Sequence, residues 1–246
     1  MARPRWLSPW KNDPRALVRY HVVNRVVDRR MVFGPAEREK FRSLLRRYET
    51  FSGCRVLTYC ILSNHFHILL EVPPAPPGGI PEDEFFRRLG ALYSKARVAA
   101  LRAEIEDRRR SGHPAAARDL IEAHAYRMHD LSEFMKGLTQ RFSVWFNRTR
   151  GRTGRLWEER FKSLIVEGGA ASRAVAAYID LNPVRAGLAA DPAAYRWCGY
   201  GEAVAASGDA AARARGGLVR ALRGHVGQAV GPPGKPAGPG ENPAAA

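Results

Sequence analysis

Two pairs of side chains have the types and spacing for metal binding and nucleophilic attack. The first is His65 and His67 in TYCILSNHFHILLEV, residues 58 to 72; the second is Tyr178 and Asn182 in AAYIDLNPVRAGL. In a strand, residues i and i+2 face the same side ~6–7 Å apart, so two imidazoles can approach one cation while Phe66 points into the opposite layer. On a helix, residues i and i+4 share a face, so Tyr178 and Asn182 can present a nucleophile and an oxygen ligand to one point. Each pair also has a purely structural reading. Two histidines make only a partial metal site and suit half-buried, hydrogen-bonded strand positions. Tyr178 equally suits a core position, and Asn182 a C-terminal cap before Pro183.

Flanking patterns define the elements that must position these pairs. LVRYHVVNRVVDRRMVF, residues 17 to 33, is Val-rich and reads as a strand followed by an arginine-bearing turn. From Pro35, apolar Phe41, Leu44, Leu45 and Tyr48 recur at helical spacing up to Gly53. CRVLTYCIL and HFHILLEV, divided by Ser63 and Asn64, predict a β-hairpin, and PPAPPGGIP (73 to 81) must be a connection. Phe85, Leu89, Leu92, Ala96 and Ala99 predict one helix, followed by a second over roughly 114 to 129. A third follows Asp130, with Phe134, Leu138, Phe142, Trp145 and Phe146 on one face. SLIVEG reads as a short strand. The helix through SRAVAAYIDL is expected to stop before Pro183, because a residue preceding proline is pushed out of helical geometry. The order of elements implies an α+β fold, an antiparallel sheet with helices packed against it.

Charge indicates the partner. The 246 residues carry a formal net charge of +16, mostly from Arg, whose planar fork matches phosphate oxygens, so a polyanion such as nucleic acid leads. Arg148, Arg150, Arg152, Arg155, Arg160 and Lys162, interleaved with Trp145, Phe146 and Trp157, form the main candidate DNA surface. There cations track phosphates while aromatic faces stack on bases; the same aromatics also suit the core. Arg19, Arg25, Arg29 and Arg30 form a second candidate group, and Arg185 is a further candidate for DNA contact. Cys54, Cys60 and Cys198 have neither disulfide-framework nor zinc-knuckle spacing. No apolar run approaches the ~20 residues of a membrane span, and MARPRWLSPWKNDPR has no hydrophobic block of a signal peptide; a cytoplasmic, nucleoid-associated protein is expected. His21, His113, His124, His129 and His225 lack comparable spacing and receive no role.

The larger pattern resembles a known family. His65-Phe66-His67 fits the His-hydrophobic-His signature of HUH single-tyrosine transposases. YHVVNRVVDRRMVF, VLTYCILSNHFHILLEV, LSEFMKGLTQRFSVWFNRTRGRTGRLWEERFKSLIVE and AAYIDLNPVRAGL, in that order, resemble the REP-associated tyrosine transposases. The resemblance covers about residues 17 to 72 and 131 to 190. Ser63 departs from the family's frequent proline and Val26 from its glycine, and residues 73 to 130 are a longer helical insertion. What the resemblance implies is a ferredoxin- or RRM-like core with a helical insertion, acting on single-stranded or hairpin DNA as monomer or homodimer. It implies metal ligands at His65, His67 and Asn182 for Mg2+ or Mn2+, and a nucleophile at Tyr178 that forms a 5′-phosphotyrosine during strand nicking and joining. Lys162 and Arg185 lie in regions that could supply a cation to the tyrosine. That matters because a phenol of pKa ~10 is about one part in a thousand ionised at pH 7.

The expected organisation is an N-terminal arm (1 to 16), a catalytic domain (17 to 205, insertion 73 to 130), a helical extension (206 to 225) and a disordered Pro/Gly/Ala tail (226 to 246). A non-catalytic DNA- or RNA-hairpin-binding protein on the same scaffold, and a metal phosphoesterase that uses water, are the rival readings.

Overall fold

The computed structural model describes residues 16 to 205 and 208 to 223, so most of the expected arm and the whole expected tail lie outside the described residues. Strand β1 (Val18–Arg25) leads through a short turn into α1 (Pro35–Ser52). Proline at the helix start and left-handed Gly53 (φ 73°) at its end bound α1 as the sequence predicts. The hairpin follows as β2 (Arg55–Ile61) and β3 (His65–Val72). Helices α2 (Glu82–Leu89), α3 (Lys95–Arg110), α4 (Pro114–Ala125) and α5 (Leu131–Thr149) come next. The chain closes with β4 (Lys162–Val166), α6 (Ala170–Arg185), α7 (Gly199–Val204) and α8 (Asp209–Arg223).

The four strands form one antiparallel sheet in the order β2-β3-β1-β4, the ferredoxin-like arrangement. Alternation along the strands gives the sheet two different faces. One carries Tyr20, Val22, Phe66, Ile68, Leu70, Tyr59 and Ile61 into the main core, where α1 and α5 contribute Phe41, Leu45, Phe134, Leu138 and Phe142. The other carries Leu69 and Val166 into a smaller core with Ala176 and Ile179 of α6 and Ala221 of α8. Among the described residues no helix is long and apolar enough to cross a membrane.

Two helix expectations are corrected. The stretch from Phe85 to Ala99 is not one helix: α2 ends at Leu89 with Gly90 as its cap, and Ser94 starts α3 afresh, its hydroxyl accepting from the Arg97 N–H at 3.3 Å. A cap at this point outcompetes the continuous periodicity. Likewise α6 does not stop before Pro183 but runs through it to Arg185. Proline removes only its own N–H; Ala186 still donates to the Asn182 carbonyl at 2.9 Å and Leu188 to the Pro183 carbonyl at 2.8 Å, so the final turn closes.

Helix α8, in the expected C-terminal extension, packs on the sheet and is tied to it. Glu71 of β3, fully buried, receives Arg19 at 3.1 Å, Arg55 at 3.0 Å and Arg220 of α8 at 3.1 Å. Burial alone would raise the Glu71 carboxyl, but the hydrogen bond from Arg55, the charges of Arg220 and Arg19 and the Arg19 hydrogen bond outweigh it and hold it below the ordinary value.

Candidate active site

Register assembles the site. On the face shared with α6, Arg25 lies opposite His65, Val23 opposite His67, and His21 opposite Leu69; on the other side of β1, Lys162 lies opposite Val23 and Leu164 opposite His21. His65 and His67 stand with ring centroids 5.1 Å apart. Tyr178 on α6 reaches over them, its ring 5.7 Å from His67 at nearly a right angle. It is 40 % exposed, so the phenol is open to an incoming strand. The guanidinium of Arg185, two turns along α6, lies 5.3 Å from the Tyr178 ring centroid.

Three further residues organise this site without having been marked by their spacing. His21, which has no partner in the linear sequence, places Nε2 3.0 Å from His67 Nδ1 and stacks on it at 5.2 Å, with Tyr178 6.1 Å away. Asn64 fixes His65: its amide N–H donates to the Arg29 carbonyl at 3.0 Å, which turns Oδ1 towards His65 Nδ1 at 2.6 Å. The hydrogen therefore sits on Nδ1 and leaves the Nε2 lone pair for a ligand, the orienting role of an outer hydrogen-bond partner. Asp180 anchors α6, accepting from the Thr58 hydroxyl at 2.7 Å and the Tyr200 N–H at 3.0 Å; burial pushes its carboxyl up to about 6. Asp180 was findable as an acidic residue in an otherwise apolar helix. His21 was not, because only the β1–β3 register joins it to His67.

The electrostatics keep the imidazoles neutral. Burial, followed by the neighbouring His21, His65 and Arg25, pushes His67 down to about 3. Burial and then Arg25 lower His65, and burial lowers His21. Neutral imidazole is the form that ligates metal. Asn182 is buried, and its amide N–H donates to the Tyr178 carbonyl at 2.9 Å. Among the described residues no three His, Cys, Asp or Glu side chains form a metal-binding group. The two neighbouring neutral imidazoles, His65 and His67, supply nitrogen donors suited to a divalent cation, with further positions left for oxygen ligands.

The expected DNA residues divide. Arg29, Arg30, Arg148, Arg155, Arg160, Lys162 and Arg185 are exposed, Arg25 and Arg152 half-buried. Arg19 is a correction: it is 4 % exposed and its donors go to Glu71, the Ser172 hydroxyl and the Arg220 carbonyl, so it ties the sheet to α6 and α8. Arg150 is pinned to buried Glu37. Phe146 is buried, and Trp145 and Trp157 are partly buried, each with one side packed against the main cluster. Trp157 also donates its indole N–H to the Thr139 carbonyl at 3.2 Å. The three cysteines are buried free thiols.

The fold and site define an α+β protein with a polar, histidine-lined site between one face of a ferredoxin-like sheet and a tyrosine-bearing helix. Residues 15–77, the segment from β1 through β3 that carries His21, His65 and His67, match the family model of IS200-like transposases. The match ends before α6. A solved structure of a REP-associated tyrosine transposase bound to a REP hairpin is similar at a TM-score of 0.47, with 12 % identity over 78 % of this chain and 87 % of that one. Among curated proteins no sequence matches the chain.

Proposed function

We propose that this protein is a REP-associated type of tyrosine transposase, a single-strand DNA nicking and joining enzyme that acts at palindromic hairpins within the cytoplasm. The observation that carries the reading is the approach of Tyr178 to His67, ring to ring at 5.7 Å within one chain. With Tyr178 and His67 meeting within one chain, a monomer would suffice for one nick, and a homodimer is compatible with the same arrangement. His65 Nε2, His67 and Asn182 Oδ1 would hold a divalent cation, Mg2+ or Mn2+, which when bound polarises the scissile phosphate and offsets charge on its non-bridging oxygens.

The chain's own groups supply the rest. Asp180 and the Thr58 hydroxyl hold α6 in place, so the Tyr178 oxygen attacks from a fixed direction, which saves orientational entropy. The new bond joins that oxygen to phosphorus while the bond to the 3′-oxygen breaks, the phenol proton passing to the departing 3′-hydroxyl. A 5′-phosphotyrosyl ester results, and the retained ester energy allows a second strand's 3′-hydroxyl to reverse the step. Arg185, its guanidinium 5.3 Å from the Tyr178 ring centroid, would supply a positive charge beside the tyrosine. Arg25 and Lys162, on the sheet face beside the histidines, are suited to the flanking phosphates.

The test is a labelled single-stranded hairpin incubated with the protein and manganese or magnesium. The expected product is a denaturation-resistant protein–DNA adduct, lost in Tyr178→Phe and on chelation, while DNA binding persists in Tyr178→Phe. Cleavage surviving Tyr178→Phe would point to attack by water, and binding without cleavage under either metal would favour a non-catalytic hairpin-binding protein.

A further inference from the structure

On the side of the sheet away from Tyr178, a cleft of about 790 Å3 opens between α1, α5 and the end of α4. The insertion (73 to 130) builds one wall of it, with Tyr93, His124, Tyr126 and Arg127. We propose that this cleft binds a second stretch of single-stranded DNA, separate from the strand at the tyrosine site.

Charge is the first argument. Lys40 and Arg47 of α1, Arg127 beyond α4, and Arg141 and Arg148 of α5 all line the cleft. Several of these cations are oriented by oxygens that carry no net charge. Arg47 donates to the Ala91 carbonyl at 2.7 Å and the Leu92 carbonyl at 3.3 Å, Arg141 to the Leu92 carbonyl at 3.3 Å, and Arg127 to the Tyr93 hydroxyl at 2.7 Å. Hydrogen bonds of this kind fix a guanidinium's direction without neutralising it, so the positive potential persists in a concave, partly desolvated surface. The rest of the insertion is built differently: Arg87 and Arg88 meet Glu84, Arg109 meets Glu82, and Arg110 meets Asp107.

The second argument is the aromatic lining. Tyr126 is 57 % exposed and Trp145 is partly exposed in the same cleft, with the Lys40 ammonium 5.7 Å from the Trp145 ring centroid. Flat faces set among cations match a chain that alternates phosphates with unpaired bases. An acidic peptide would meet the cations but leave those rings without stacking partners, and duplex DNA keeps its bases stacked on one another. The assignment does not depend on the tyrosine chemistry: the cleft lies in the α1–α5 layer and shares no residue with the histidine site.

Binding of a fluorescent oligothymidylate to the full chain tests this, measured by anisotropy against salt, alongside photo-cross-linking of a bromodeoxyuridine oligonucleotide. Tyr126→Ala combined with Lys40→Ala removes one exposed ring and one partly exposed cation, so the fold should survive, as circular dichroism will check. The expected results are cross-links to the peptide bearing Tyr126 or Trp145 and affinity about tenfold weaker in the double variant, with a shallower salt slope. Adduct yield at saturating hairpin should stay unchanged, so failure here is distinct from failure of the nicking reading. Parent-like affinity in the double variant, cross-links confined to other peptides, or equal competition by polyglutamate or oligouridylate would overturn the assignment.

Discussion

At the scale of single residues, the site depends on groups that hold others in place. Asn64 directs a proton to His65 Nδ1, His21 contacts His67, and Asp180 holds the helix that bears Tyr178. Glu71 performs the same service for the far end of the sheet, where three guanidiniums converge on one buried carboxylate. Replacing it by Gln leaves Arg19 buried without a counter-charge, and about 3 kcal/mol of stability should be lost at pH 7 in urea unfolding. The pH dependence has a definite sign. A carboxyl held below its ordinary value in the folded state contributes stability above 4.5 and loses it as pH falls through the folded value. The gap between the parent and Glu71→Gln should therefore narrow in acid; a gap independent of pH would mean that the carboxylate charge contributes nothing.

At the scale of elements, α8 shows how closely the layers approach. A Cβ added at Gly217 would fall 2.6 Å from the Val56 carbonyl oxygen and 2.7 Å from that of Leu57, both main-chain atoms of β2 that have no freedom to yield. Gly217→Ala should cost about 1–3 kcal/mol by forcing α8 off the sheet. Neighbouring Gly216 meets nothing within 4 Å, so Gly216→Ala should instead stabilise by up to about 1 kcal/mol through helix propensity. Thermal melting of the two variants in opposite directions would verify the packing of α8; a common direction would contradict it. The same closeness explains α6, where the turn after Pro183 is retained because Asn182 and Pro183 still accept backbone hydrogen bonds.

At the scale of the whole molecule, the charge of +16 is distributed unevenly. Ion pairs offset much of it on α2 and α3, whereas the site face keeps Arg25, Lys162 and Arg185 beside the histidines and tyrosine. Substituting Arg109, which already meets Glu82 at 2.6 Å, should leave the salt dependence of hairpin binding unchanged. Lys162→Ala should lower the slope by about 0.7 to 0.9, one phosphate contact. Equal effects from the two substitutions would show that net charge, rather than its placement, governs binding.

The sequence by itself determined what depends on neighbours along the chain. The period of apolar residues marks α1, α5 and the β2–β3 hairpin; Gly53 marks the end of α1; the arginine excess indicates a polyanion. The motif spacing put His65 with His67 on one strand face and Tyr178 with Asn182 on one helix. Only the tertiary structure decided how these parts meet. Strand register joins His21 to His67 across 46 residues and buries Arg19 against Glu71, while docking of α6 brings Tyr178 over the histidines. Register and layer packing are set by burying whole faces at once, so contacts between distant segments leave no local period from which to read them.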